Sequence, residues 1–140
     1  MWQFFHNHQS VDAILRDKGL AKVGDGLVNL CYSLAKSQVL GKATGEKVRD
    51  RVLANAIRET SIGKLFRRRT DPGTAADGYE AILAYLWLNN HVTIESAVAL
   101  LVENLEKESL SSIKDEKKTA TLAFQILLQH LIELLPLERD

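Results

Sequence analysis

Apolar residues recur every three to four positions along most of this chain, and this spacing constrains the fold more than any other feature. Sustained alternation of polar and β-branched residues, which would indicate strands, is absent. The pattern therefore predicts an all-α bundle of six to seven helices, and a length of 140 residues suits a single domain over residues 1–140. The strongest stripe predicts a long second helix that ends near Gly41 and carries Leu20, Val23, Leu27, Leu30, Leu34 and Leu40.

Capping residues predict where the other helices begin. Thr44 is placed to cap a third helix, and residues 70–73 (Thr-Asp-Pro-Gly) predict a turn and the start of the next one. That helix, about residues 75–88, is apolar all round in its second half and should be the most buried. Thr93 is predicted to cap a further helix, and residues 114–118 are interpreted as a charged link before the last one.

Composition excludes several classes of protein. No apolar run reaches the ~20 residues that a membrane-spanning helix needs, so we expect no membrane segment. The first residues lack a basic stretch followed by a long apolar one, which argues against a secretory signal and favours a cytoplasmic protein. Cys31 is the only cysteine, so an intrachain disulfide and a zinc site built on several thiolates are both excluded. Its neighbours Leu30 and Leu34 predict that Cys31 is a small buried apolar residue.

The net charge is zero, but the charges are unevenly distributed along the chain. Residues 36–69 carry ten lysines and arginines against three acids, whereas residues 70–102 carry four acids and no lysine or arginine. A basic segment followed by an acidic one is typical of a protein that binds phosphate groups with one surface and divalent cations with another. Chance clustering on a solvated face is the alternative.

Two glycines interrupt the second helix in the sequence Gly24-Asp25-Gly26. An interior glycine costs roughly 1 kcal/mol relative to alanine, so the pair is tolerated if something approaches the backbone there. Asp25 lies off the main apolar stripe of this helix. It is a candidate ligand or, alternatively, an ordinary surface acid beside packing glycines.

Asp77 and Glu80 are three residues apart, which places both carboxylates on one face of the predicted central helix. Like charges repel at this spacing, and a divalent cation would turn the repulsion into attraction. Mg²⁺ prefers oxygen ligands and is commonly held by one or two carboxylates. The alternative is a pair of acids that favourably face the positive end of the helix dipole.

These two motifs together resemble the ribonuclease III family. Residues 22–30 (KVGDGLVNL) resemble its glycine-aspartate signature helix, and residues 75–84 (AADGYEAILA) resemble its second acidic motif. Residues 48–55 resemble the arginine-bearing helix between them, so the resemblance spans roughly residues 18–88. In length, the chain is most similar to small stand-alone members of the family, known from archaea, that lack a double-stranded-RNA-binding domain.

The resemblance implies an all-helical domain that forms a homodimer through its signature helices and hydrolyses double-stranded RNA with Mg²⁺ or Mn²⁺. It implies that Asp25, Asp77 and Glu80 are metal ligands and catalytic residues. The basic residues that become candidates for contact with RNA phosphates are Lys47, Arg49, Lys64, Arg67, Arg68 and Arg69.

The sequence departs from the family at one important position. Ala21 stands where the family has a glutamate one helical turn before the signature aspartate, and a further family glutamate falls at Lys18 or beside Asp17. Three outcomes remain open: a slower nuclease, a site completed by Asp17 or by a residue across the dimer, or a domain that binds RNA without cutting it. A helical protein-interaction module, with a coincidental resemblance, is a further alternative.

Overall fold

Six α-helices make up the fold in the computed structural model, which describes residues 2–136. No strand occurs within that range, so the predicted all-α class is confirmed. Short 3₁₀ turns lie at Ser61–Leu65, Lys107–Ser111 and Ile132–Leu134. The helices are α1 Val11–Leu15, α2 Lys18–Leu40, α3 Asp50–Arg58, α4 Pro72–Leu88, α5 Ile94–Asn104 and α6 Ile113–Leu131.

Helix α4 is the central element, as predicted, and it packs against α1, α2 and α3. It begins as the sequence indicates, with Pro72 at its first position and the Asp71 carboxylate accepting a hydrogen bond from the Thr74 amide at 2.8 Å. Nearly every residue from Ala75 to Leu88 is buried. Because α4 is surrounded by other helices, its position is determined by side-chain packing along its whole length.

Helix α2 also has the predicted extent and ends at Gly41, whose φ of 73° lies in the left-handed region that glycine adopts without strain. Cys31 is buried, as predicted. The predicted apolar stripe, however, is divided between two environments. Leu20 and Leu27 are buried, whereas 36% of Val23, 46% of Leu30 and 43% of Leu34 remain exposed. Helix α2 therefore has an inner face against α4 and an apolar face on the surface.

Two predicted boundaries are wrong. Thr44 does not cap α3, which begins at Asp50, and the Thr44 amide instead donates a hydrogen bond to Ser37 Oγ at 2.8 Å. Residues 42–49 form a connection without helix, and Val48 in it is buried. Residues 114–118 are not a link but the first turns of α6, because Ser112 caps that helix by accepting a hydrogen bond from the Asp115 amide.

Within residues 2–136, none of the helices combines the length and the apolar character needed to cross a membrane.

Candidate active site

Helices α2 and α4 approach each other so closely at Gly24 that no side chain fits between them. A β-carbon built on Gly24 would lie 1.9 Å from the carbonyl oxygen of Glu80, which is far inside van der Waals contact. Gly26, in contrast, has nothing within 4 Å of such an atom. The close approach predicted from the glycine pair therefore exists at Gly24 alone, and its partner is the backbone of the second acidic motif.

This crossing brings Asp25 and Glu80 together. Only 5% of Glu80 is exposed. Burial, followed by a hydrogen bond with Asp25 and the negative charges of Asp25, Asp77 and Asp50, raises the pKa of Glu80 to about 9. At neutral pH Glu80 is therefore protonated and can donate a hydrogen bond to the Asp25 carboxylate. The geometry concentrates negative potential at the α2–α4 crossing.

Asn29 orients Asp25 from the next turn of α2. Its Nδ2 donates a hydrogen bond to Asp25 Oδ1 at 3.4 Å, while its Oδ1 accepts one from the Val48 amide at 2.7 Å. The second bond determines which end of the Asn29 amide faces Asp25. The connection before α3 is thereby tied to the carboxylate cluster, which we define as Asp25, Asp50, Asp77 and Glu80.

Asp77 faces the same region but has a cationic partner. The Lys18 ammonium lies 3.0 Å from Asp77 Oδ2, and both side chains are substantially exposed. In this arrangement Lys18 supplies a positive charge to the cluster.

The carboxylate oxygens of the cluster are chemically suited to Mg²⁺, because this cation prefers oxygen ligands. The high pKa of Glu80 indicates a site where added positive charge would be favourable. As the side chains stand, however, no three His, Cys, Asp or Glu residues of the described range lie close enough to hold one ion together. Asp77 is paired with Lys18 in this arrangement.

Near the start of α2, Ala21 is the position that lacks a carboxylate, and Asp17, one of the alternatives for completing the site, lies apart from the cluster. Ala21 is buried and provides no ligand. Asp17 caps α2 by accepting a hydrogen bond from the Leu20 amide and lies 2.8 Å from His8 Nε2. Asp17 is therefore occupied at the start of the helix, two turns away from Asp25.

The predicted RNA-contacting residues fall into two groups. Lys47 and Arg49 line a groove together with Asp50, Arg51 and Lys117. The remaining four are exposed and lie outside that groove, on the 3₁₀ turn after α3 and in the segment before α4. These are Lys64, Arg67, Arg68 and Arg69.

Sequence reasoning missed two residues of this region, Asp50 and Lys117. Asp50 is the first residue of α3 and is near enough to Glu80 to raise the pKa of its carboxyl group. An acidic residue is common in the first turn of a helix, so Asp50 could have indicated that α3 starts there. The prediction that Thr44 caps α3 placed Asp50 inside the helix instead. Lys117 was assigned to a link, although Ser112 three residues before Asp115 indicates a helix start that puts Lys117 on α6.

Comparison with curated proteins finds no similar protein. The chain does match the ribonuclease III family over residues 18–137, which includes both acidic motifs, the α2–α4 crossing and all of α2 to α6. The match extends far beyond the two motifs on which the sequence resemblance rests. This chain belongs to the ribonuclease III family.

Proposed function

We propose that this chain is a Mg²⁺-dependent endoribonuclease that hydrolyses phosphodiester bonds in double-stranded or structured RNA as a homodimer in the cytoplasm. The observation that carries the proposal is the meeting of Asp25 and Glu80, which come from the two acidic motifs of the family, at a helix crossing that requires Gly24. An isolated acidic pair on one helix would not support it, because such pairs are common at helix starts.

Mg²⁺ or Mn²⁺ would be held by Asp25, Asp77 and Glu80, and when bound it supplies a Lewis acid that neutralises charge on the phosphodiester oxygens. Other residues of the chain orient these carboxylates or balance their charge. Asn29 holds Asp25 in a single orientation. Lys18 balances the charge of Asp77 and would leave it if Asp77 bound the cation. Glu80 holds a proton against Asp25, and it would release that proton to water if it bound the cation.

The exposed apolar face of α2 supports the homodimer. Val23, Leu30 and Leu34 are spaced by seven and four residues, which places them along one side of the helix. A second copy of the chain that packs on this face would cover three apolar side chains that one copy leaves partly exposed. An interface between signature helices is also the arrangement implied by the family.

A catalytically silent RNA-binding or scaffold protein of the same fold is the second candidate. Two observations favour it: Ala21 removes one carboxylate that the family uses, and Lys18 neutralises Asp77. Both changes lower the negative charge available to a divalent cation.

One experiment separates these candidates. Purified protein incubated with long double-stranded RNA and Mg²⁺, or with Mn²⁺, is expected to cut it. Asp25→Asn and Glu80→Gln are expected to reduce cutting by about a hundredfold or more while preserving the circular dichroism spectrum and RNA binding. Asp12→Asn is the matched control, because Asp12 is exposed on α1 and its carboxylate forms its one ion pair within residues 2–136 with Arg16.

Binding without cleavage under both metals would select the silent protein. Absence of RNA binding at low salt would instead favour a protein-interaction module and overturn both candidates.

A further inference from the structure

A cavity of about 140 Å³ lies between α2, α3, α6 and the connection before α3. Its apolar walls include Val48, Val52 and Ala120, together with the ring of Tyr32. An engineered apolar cavity of about 150 Å³ holds one benzene molecule, so this cavity is of a size for one six-membered ring. Its mouth is open, so a ring could enter while still attached to a larger molecule.

The polar end of the cavity carries a carboxylate that remains able to accept hydrogen bonds. Tyr32 Oη donates to Glu116 Oε2 at 2.6 Å, and Lys36 Nζ donates to the same carboxylate at 2.9 Å. Lys36 also pairs with Glu46 at 2.8 Å. Lys36 Nζ also donates to Glu116 Oε1 at 3.1 Å, so three of the roughly four acceptor sites of this carboxylate are taken and Glu116 is held in place. The remaining site, on Oε1 beside Glu46, can receive an amino group from a ring.

The rim of the cavity is cationic. Lys47, Arg49 and Lys117 line both the cavity and the adjoining groove, and Arg51 extends the positive charge along that groove. Lysine and arginine bind phosphate groups by charge and by hydrogen bonds. A ring-sized cavity with an acceptor inside and cations at its mouth matches the parts of a nucleotide.

One residue of the groove, Asp50, also belongs to the carboxylate cluster. Asp50 lines the groove, and its charge acts on Glu80. A β-carbon built on Gly73, at the start of α4, would lie 3.8 Å from Asp50 Oδ2. A strand of RNA bound along the groove would therefore continue towards Asp25 and Glu80.

We propose that the cavity binds the base of one unpaired pyrimidine nucleotide of the RNA, with its phosphate held by Lys47, Arg49 and Lys117. Cytosine is the preferred base, because its exocyclic amino group can donate to Glu116 whereas the corresponding atom of uracil is an acceptor. This inference rests on the proposed RNA-directed function and narrows its substrate to structured RNA with a bulged or otherwise unpaired nucleotide beside the cleavage site.

The first test uses the wild-type protein in EDTA, so neither a variant nor a metal is required. Cytidine 5′-monophosphate is expected to shift the methyl NMR signals of Val48, Val52 and Ala120, with no shift at Val98 on α5, which does not line the cavity. Inorganic phosphate should shift the backbone amides of the rim and leave these methyl groups unchanged. Identical responses to the nucleotide and to phosphate would overturn the proposal.

The second test compares two RNA duplexes that differ by one bulged cytidine, with binding measured in EDTA at fixed salt. The bulged duplex is expected to bind several-fold more tightly. Ala120→Leu should fill the cavity and remove this preference while duplex binding remains. Lys117→Ala should weaken binding of both duplexes, and Lys118→Ala, exposed outside the cavity on the same helix, should not.

The two proposals fail separately. Cleavage of RNA in Mg²⁺ without any preference for the bulge would overturn the cavity proposal and leave the nuclease intact. Binding of cytidine monophosphate in the cavity without cleavage of RNA would overturn the nuclease proposal and leave the cavity proposal standing.

Discussion

The carbonyl oxygen of Glu80 occupies the space in which a side chain at residue 24 would begin, since a β-carbon built on Gly24 lies 1.9 Å from it. Glycine at this position is therefore a condition for the α2–α4 crossing. The same crossing places Asp25, the next residue, within hydrogen-bonding reach of the Glu80 carboxyl group. One missing side chain thus positions two acids that are 55 residues apart in the sequence.

Replacement of Gly24 by alanine is expected to lower the free energy of unfolding by about 1–3 kcal/mol or more, because the helices must separate to admit the methyl group. Thermal and urea denaturation would measure the change. Gly26→Ala is the matched control on the same helix. It meets nothing within 4 Å and should raise stability by up to about 1 kcal/mol through helix propensity. Equal effects of the two changes would contradict the close approach.

Stability should decrease as the pH rises, because of Glu80. Its pKa is raised from 4.5 to about 9 in the folded protein, so between these values the folded chain retains a proton that the unfolded chain has released. The unfolded state then binds fewer protons, and the free energy of unfolding falls with increasing pH across this interval. Melting temperatures in EDTA would measure this slope. Glu80→Gln should flatten it, and an unchanged slope would contradict the buried proton.

Restoring a carboxylate at residue 21 should strengthen metal binding. Ala21 lies one helical turn before Asp25, so Ala21→Glu is expected to lower the dissociation constant for Mn²⁺, measured by calorimetry, roughly tenfold. Ala21 is buried, so the larger side chain will also cost stability. Ala21→Gln carries the same bulk without the charge. If glutamine improved binding as much as glutamate, the missing carboxylate would not be the limiting feature.

The apolar face of α2 should control self-association. Leu30→Glu or Leu34→Glu is expected to convert a dimer to a monomer in sedimentation velocity, because a charge in an apolar interface must be desolvated. Leu65→Glu changes another exposed leucine, outside α2, and should leave the association state unchanged. A dimer that survives both changes on α2 would place the interface elsewhere.

Arg67, Arg68 and Arg69 are predicted to contact RNA phosphates from outside the groove. Changing all three to alanine should weaken RNA binding and reduce the slope of log affinity against log salt by up to about three. Binding titrations at several salt concentrations would give both quantities. Unchanged affinity and slope would restrict phosphate contact to the groove.

Local features of the sequence were sufficient for much of the secondary structure. The three-to-four-residue apolar spacing predicted α2 and α4, and Gly41, Pro72 and Thr93 act at the helix ends as predicted. Thr44 misled because a residue that can cap does not by itself start a helix, and α3 begins after Arg49, which makes no side-chain capping hydrogen bond. The chain there is held by Ser37 and Asn29 on α2, which are distant in sequence from the helix start.

The sequence by itself determined the all-α class, the two acidic motifs and the need for a glycine beside Asp25, because helix periodicity and backbone cost are local properties. Only the tertiary structure decided that Lys18 pairs with Asp77, that Asp50 joins the cluster, and that Lys117 lines the same groove as Lys47. These relationships depend on how helices cross, and crossing angles arise from packing between residues far apart in the chain.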